Sequence, residues 1–363
     1  MKRLSLTTLV LILALGLTAC DHPPSYLSFL KHTMPDLPDT KLDLAFTCVH
    51  EADVIPKRDP EADQLYQHAK WLKKNNLLKE DPLVYPKIER LIRIASAYGH
   101  DKASLELSQM IGKGTAMSND IVGETLDLAQ DLIDRNIPGG YYDMAQFLES
   151  GYGVKEDKDL ALKYYRKAAD MGNPDAQYHV GDILTGVDNE EVKEIGAKMW
   201  LCAAEQGHGK SGEELGIWLS STLRERYSDA IQAFQLGAKA GDSTAASFIY
   251  KGFNGPKPDD RLHHLGQQKD EERYKRYEAI WSFLADYSYL NPKVPEIDEI
   301  VPLPPAKLPA WGHVQVAERT PSQCPAAVAE RSAHRRDGQG QEPRPGNRPA
   351  AEIETRCRRS GSG

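Results

Sequence analysis

The sequence predicts an all-α protein, built as a short right-handed solenoid of about five helical hairpins. Three observations predict it. A residue that can end a helix recurs every 34 to 37 positions, apolar residues keep phase with it, and a small residue follows each break. A helical hairpin with one apolar face cannot bury that face alone, so such hairpins must stack on their neighbours.

The break at Gly172 shows the local chemistry. Gly172 can adopt the left-handed conformation that ends a helix, while Asn173 and Pro174 supply an N-cap and a first-turn proline for the next helix. Asp175 then lies at the positive end of that helix's dipole. Equivalent residues recur along the chain at Gly99, Asn136, Gly172, Gly207 and Gly241.

Four sets of residues, which we call columns, recur at fixed distances in sequence from these breaks. Eight residues after them stand Leu107, Met144, Val180, Leu215 and Ile249. Twelve residues after them stand Ile111, Leu148, Leu184, Leu219 and Phe253. Seven residues before them stand Ile92, Ala129, Tyr165, Trp200 and Phe234. Four residues after them stand the small residues Ala103, Gly140, Ala176, Ser211 and Ala245, where two helices could approach closely.

One repeat, from Tyr141 to Gly181, resembles the Sel1-like repeat of the tetratricopeptide class. The residues that carry this resemblance are Gly151, Gly153, Val154, Ala161, Ala168, Ala169 and Gly172. The other repeats are degenerate, and together the repeats cover residues 88–255.

The resemblance implies that the first helix of each hairpin lines a concave side. Exposed residues there are candidate partner contacts, namely Tyr141, Gln177, Asp182, Glu213 and Trp218. Packing of Trp218 against a neighbouring repeat is an equal alternative.

The first 19 residues have a basic start, a short apolar run and small residues before a cysteine, which is typical of a signal peptide. Residues 17–20 resemble a bacterial lipobox, which implies lipidation of Cys20. An ordinary signal peptide with an incidental cysteine is the alternative. Asp21 resembles an inner-membrane retention signal. The expected location is therefore the periplasm, with a lipid anchor in the inner membrane.

Residues 20–87 form a lead-in segment with an amphipathic helix from about Glu61. Cys48, His50 and Glu51 could be metal ligands, but no second ligand cluster accompanies them, so a packed turn beside a helix is favoured. We expect no metal and no cofactor. Cys48 and Cys202 could form a disulfide in an oxidising compartment, although two buried free thiols are favoured.

Residues 256–312 contain a final amphipathic helix within residues 270–287 and a proline-rich segment. The apolar stripe of this helix, which we expect in the core or as a solenoid cap, consists of Tyr274, Tyr277, Ile280, Trp281 and Leu284. The proline-rich segment and the stretch around Cys48 resemble an uncharacterised family of Sel1-like lipoproteins of Gram-negative bacteria.

Residues 313–363 form a tail that we expect to be disordered. From Arg319 it holds nine arginines and no lysine, a composition typical of translation out of frame in a GC-rich gene. A basic arm for nucleic acid would conflict with export.

The whole chain has a net charge of −8, and without the signal peptide (+2) and the residues from Arg319 (+4) it has −14. Such an acidic surface favours capture of a basic partner or serves solubility.

No catalytic motif is evident. The sequence contains neither Gly-x-Ser-x-Gly nor His-Glu-x-x-His. Gly209-Lys210-Ser211 imitates the end of a phosphate-binding loop, but Ala204 occupies the place of that loop's first glycine and no strand precedes it. The sequence therefore predicts a binding scaffold rather than an enzyme.

Lipoproteins with degenerate Sel1-like repeats resemble periplasmic immunity proteins that neutralise type VI secreted phospholipase D effectors. The resemblance implies a protein partner, a secreted toxin of the phospholipase class, that is blocked by stoichiometric binding. It implies no nucleic acid, and a membrane contact only through the lipid anchor. A periplasmic adaptor that organises envelope or peptidoglycan enzymes is the alternative, and an enzyme is third.

Overall fold

The computed structural model describes residues 45–310, with the exception of residue 222. The signal peptide, Cys20, Asp21 and the tail from residue 313 lie outside the described residues. All regular structure in the described part is helical. Its helices are α1 Glu51–Val54, α2 Pro60–Asn76, α3 Tyr85–Ala97, α4 Asp101–Gly112, α5 Ile121–Asp134, α6 Pro138–Ser150, α7 Lys158–Asp170, α8 Pro174–Thr185, α9 Glu190–Glu205, α10 Gly209–Ser220, α11 Tyr227–Ala240, α12 Ser243–Phe253, α13 Glu271–Asp286 and α14 Ile297–Ile300, with a 3₁₀ turn at Ser288–Leu290.

The helices from α2 to α13 form six consecutive hairpins, each a first and a second helix: α2–α3, α4–α5, α6–α7, α8–α9, α10–α11 and α12–α13. First helices also contact the first helices of the next hairpin, as α4 does with α6 and α10 with α12. The predicted solenoid is confirmed. The structure has one hairpin more than the sequence predicts, because α2, in the lead-in segment, pairs with α3.

All five predicted breaks have a left-handed backbone. Gly172 has a φ of +91° and Asn136 a φ of 56°, and Gly99, Gly207 and Gly241 lie in the same region. Asn173 caps α8 by accepting a hydrogen bond from the Ala176 N–H at 2.8 Å. The predicted helix breaks are therefore confirmed at the level of the backbone.

The four predicted columns are buried along their whole length. The small-residue column lies where successive hairpins approach most closely. At Gly140 an added Cβ would lie 2.5 Å from the Leu132 Cβ and 2.8 Å from the Ala129 carbonyl oxygen. Because α5 and α6 touch through the backbone there, this position accepts only glycine without a shift of the helices.

Residues 45–55, which we call the N-terminal strap, cross the ends of three repeat helices. The Ala45 carbonyl accepts a hydrogen bond from Arg166 on α7, and the Val49 carbonyl accepts one from Gln177 on α8 at 2.9 Å. The Glu51 N–H donates to the Gln206 side chain just after α9, at 2.7 Å. The strap therefore ties together helices that are more than 110 residues away in sequence.

A disulfide joins the strap to the solenoid. Cys48 and Cys202 are bonded, with their Cα atoms 5.6 Å apart. The prediction of two buried free thiols is wrong: Cys48 lies on the surface and Cys202 is buried in α9. The pair forms because the strap runs directly over the α7–α8 break, where a Cβ on Gly172 would lie only 2.6 Å from the Glu51 nitrogen.

The C-terminal segment covers the last hairpin. Tyr277, Ile280 and Leu284 of α13 are buried, and the other two residues of the predicted stripe are partly buried against the same cluster. Arg276 donates to the carbonyl oxygens of Ile300 and Pro309, at 2.6 Å and 2.8 Å. The stripe therefore belongs to the core, as predicted. Among the described residues, no helix has both the length and the apolar character that crossing a bilayer requires.

Candidate partner-binding groove

The first helices of the second, third and fourth hairpins border an open groove of about 600 Å³. Helix α4 forms one wall, α6 the floor, and the start of α8 the other wall. The side chains that give the groove its chemistry are Lys102, Gln109, Lys113, Tyr142, Asp143, Gln146, Phe147 and Asp175.

Helix periodicity places these side chains in the groove. Gly139, Asp143, Gln146 and Ser150 follow one another at intervals of four and three residues, so they share one face of α6. All four border the groove. Gly139 carries no side chain, and this lets Leu105 of α4 approach to 2.7 Å of the position that a Cβ would occupy. The groove is therefore narrow at Gly139 and open beyond it.

Asp143 is the unusual group on the groove floor. Its carboxylate makes no hydrogen bond and no ion pair with any residue of the described chain. Burial by the surrounding helices, and then the negative charge of Asp175, raise the pKa of Asp143 to about 7. A carboxyl group in this state has lost part of its hydration without gaining a partner.

Within the described part of the chain, no lysine or arginine pairs with the carboxylates at this end of the groove. Asp175 lies 3.6 Å from His208, but burial lowers the pKa of His208, so the imidazole is neutral near pH 7. The Lys102 ammonium donates a hydrogen bond to the Glu51 carboxylate of the strap at 2.6 Å, so its positive charge is already paired. The region around Asp143 and Asp175 is therefore acidic.

Aromatic rings border the same groove. Tyr142 packs edge-on against Tyr165 at 5.6 Å, and burial raises the pKa of Tyr142 to about 12. Phe147 contacts Tyr152 at 5.3 Å between ring centres. Rings fixed in this way give large contact areas at a small loss of conformational entropy when a partner binds.

Residues 138–173 and 174–208 match the Sel1 repeat family, and these ranges coincide with the hairpins α6–α7 and α8–α9. Residues 245–335 match a domain of unknown function, DUF6396, which begins in α12 and extends beyond the described residues.

Solved structures from Pseudomonas aeruginosa are similar over most of the fold. Immunity protein PA5088 is 30% identical, over 72% of this chain and 94% of that chain, with a TM-score of 0.56. The chain belongs to the family of PA5088. Immunity protein Pa5087 is 27% identical and PA5086 is 29% identical, each over 72% of this chain and 95% of the other, with TM-scores of 0.54. The Sel1 repeats and these relatives indicate a protein-binding role without enzymatic activity.

In this member of the PA5088 family, three of the five predicted partner contacts are not exposed. Tyr141, Gln177 and Glu213 are buried. Tyr141 packs on the ring of Tyr164, and Gln177 bonds the Val49 and Ala169 carbonyl oxygens. Glu213 accepts a hydrogen bond from Lys210 of its own helix. The expectation that these side chains are exposed is wrong, because each is enclosed within the solenoid or beneath the strap.

The other two predicted contacts differ from each other. Asp182 is exposed on α8, and it stays a candidate contact. Trp218 is partly buried against the core, and the guanidinium of Arg224 lies 3.7 Å from its ring centre. The alternative in which Trp218 packs within the solenoid is therefore the one that the structure supports.

The residues that carry the Sel1 resemblance are structural. Gly151 and Gly153 have left-handed backbones, with φ values of +69° and +67°. The remaining members of the set, Val154, Ala161, Ala168, Ala169 and Gly172, are buried. They position the helices of the third hairpin and are not part of the groove.

The predicted metal and phosphate alternatives do not fit the structure. The ligand atoms of Cys48, His50 and Cys202 lie within 4.8 Å of one another, but the disulfide occupies both sulfur atoms. Glu51 instead bonds Lys102 and Asn173. Residues 209–211 are the first turn of α10, which His208 caps by accepting a hydrogen bond from the Ser211 N–H.

Sequence reasoning missed Tyr142 and Asp143, which border the groove next to the buried Tyr141. A signal for them was present. Tyr141, Met144, Ala145 and Leu148 have the spacing of one apolar helix face, so the opposite face of α6 must carry Asp143 and Gln146.

Proposed function

We propose that this protein is a periplasmic immunity protein that binds and neutralises a cognate secreted toxin, and that the toxin is a phospholipase. The observation that carries the proposal is membership of the PA5088 family together with an open groove on the first helices of the repeats. The phospholipase class and the type VI secretion route come from the resemblance of the sequence to immunity lipoproteins.

Neutralisation in this proposal is stoichiometric occlusion. The solenoid presents a groove with aromatic rings and acidic side chains that suits a protein surface. The buried cores of the hairpins hold this surface rigid, so little conformational entropy is lost when the toxin binds.

The proposed location follows from the N-terminal sequence. Lipidation of Cys20 after removal of residues 1–19, with Asp21 as a retention signal, would hold the protein at the inner membrane. The Cys48–Cys202 disulfide supports an oxidising compartment, since disulfides persist there and are rare in the cytosol. At this site the protein would meet a toxin delivered from another cell before that toxin reached its lipid substrate.

The proposal is tested by periplasmic expression of effectors encoded beside this gene, each with and without this protein. Survival, hydrolysis of membrane lipid and co-purification are measured together. Protection with co-purification is the expected result. A version without residues 1–19 provides the control, because it stays in the cytosol and should not protect.

Protection without binding would contradict occlusion and would indicate repair of the envelope. An absence of protection and of binding with every neighbouring effector would contradict the immunity function and would favour an adaptor of envelope enzymes.

A further inference from the structure

We infer that the groove receives an arginine side chain of the partner, whose guanidinium pairs with the Asp143 carboxylate beside the ring of Tyr142. This inference rests on the proposed function for the identity of the partner. The recognition chemistry itself is argued from the groove alone.

The first step concerns the state of Asp143 in the free protein. The Asp143 carboxylate is partly exposed in the groove and has no hydrogen bond, and carboxyl groups with strongly raised pKa values cluster at functional sites. Among the described residues, no cation bonds Asp143, and Asp175 is the one charged group that affects its pKa. The missing partner of Asp143 is therefore a positive charge.

The second step excludes the protein's own cations from that role. Lys102, the lysine at the start of α4, is held by Glu51 of the strap. Lys113, at the other end of α4, does not contribute to the pKa of Asp143. Glu51 of the strap thus pairs with the Lys102 ammonium, and no cation of the described chain bonds Asp143, so this carboxylate stays available to an external cation.

The third step distinguishes a guanidinium from a metal ion. A divalent metal requires several ligand atoms around one point, and among the described residues no group of three or more His, Cys, Asp or Glu ligand atoms converges at Asp143. The aromatic ring of Tyr142 borders the groove beside it. A guanidinium is planar, donates up to five hydrogen bonds and stacks on aromatic rings. A groove of about 600 Å³ also accommodates the arginine and the loop that carries it.

The test compares Asp143→Asn with Asp159→Asn. At pH 8, where Asp143 is largely ionised, both variants remove about one negative charge from the third hairpin, but Asp159 is exposed on α7 and does not border the groove. The probe is a catalytically inactive form of the effector that co-purifies with the protein. We expect Asp143→Asn to weaken binding about 10- to 100-fold, mainly through faster dissociation, and Asp159→Asn to change it less than about 3-fold.

A second measurement does not depend on the toxin. The pKa of the Asp143 carboxyl is followed by NMR with saturating arginine amide, and with citrulline amide as the uncharged analogue of the same shape. Arginine amide should lower the pKa by about 1 unit or more, as an adjacent guanidinium does, while citrulline amide should leave it unchanged.

The outcomes separate this inference from the proposed function. Toxin binding that Asp143→Asn leaves unchanged would overturn the inference and leave the immunity function standing. If no effector binds, the immunity function fails, and the arginine amide titration still decides whether the groove recognises a guanidinium. Equal effects of the two amides would overturn the inference.

Discussion

Cys48 of the N-terminal strap is covalently bonded to Cys202 of α9, a residue 154 positions later in the sequence. The bond fixes the strap over the break between α7 and α8, where Glu51 hydrogen-bonds Asn173 and Gln206. Glu51 in turn holds Lys102 at the border of the groove. A covalent link between two residues that do not line the groove therefore helps to set the charge distribution inside it.

Reduction of the disulfide should lower the free energy of unfolding by about 2–4 kcal/mol, because a long closed loop restricts the unfolded chain. Urea unfolding with and without dithiothreitol measures the difference. The double variant Cys48→Ser/Cys202→Ser is the control, because dithiothreitol should not affect it. Equal stability of the wild-type protein in both conditions would show that the bond does not constrain the unfolded chain.

Substitution of Gly140 by alanine should destabilise the protein by about 1–3 kcal/mol, because its Cβ would collide with α5. Gly112→Ala is the matched control. A Cβ at Gly112 meets no atom within 4 Å, so that variant should lose no stability and could gain up to about 1 kcal/mol from the better helix propensity of alanine. Thermal unfolding of the two variants compares the effects, and similar stabilities would contradict the close helix contact.

Asp143→Asn should raise the free energy of unfolding of the free protein at pH 8 by about 1–2 kcal/mol. This is less than the full pKa shift would give, because the groove is open to solvent and water screens the charge. The sign follows from the pKa of Asp143, which is about 7 in the folded protein against 3.8 for an ordinary aspartate. The unfavourable ionised form is fully present above pH 7, so the gain should fade as the pH falls from 7 to 4.

Chemical unfolding of both proteins between pH 4 and pH 8 measures this difference. The other ionisable groups that border the groove or contact its lining, Lys102, Lys113, Tyr142, Asp175 and His208, are present in both proteins and largely cancel. A gain that is constant with pH would mean that Asp143 titrates normally.

Cys20→Ala should leave the protein unprocessed or soluble, since the proposed lipid attachment requires the thiol. Globomycin should block maturation of the unchanged protein. Membrane fractionation and the apparent mass of the product measure both effects. Normal processing and membrane association of the variant would contradict the lipoprotein assignment.

The repeat fold was predictable because its determinants are local and periodic. The breaks and the buried columns recur at fixed spacing, and one pattern explains Gly172, Val180 and Leu184 alike. The strap was not predictable in the same way. Its contacts with Gln177 and Gln206 join distant residues, and no periodicity in the sequence connects them.

The groove was predictable only in part. The groove is lined by first helices, on which the sequence places the candidate contacts, and their role in binding stays a prediction. Tyr141, expected on the surface, has a spacing from Met144 and Leu148 that places it on the buried face. The unpartnered state of Asp143 depends on what α4 and α8 bring to the same place, above all Asp175. Such a property arises only when the helices are stacked.

The proposed function requires that this protein blocks one toxin by binding it, without chemistry of its own. Titration of the purified protein into a lipid-hydrolysis assay with the active cognate effector tests this most directly. At toxin concentrations far above the dissociation constant, activity should fall linearly and reach zero at one molecule of this protein per molecule of toxin. Full inhibition at a small fraction of one equivalent, or undiminished hydrolysis at an excess, would contradict the account.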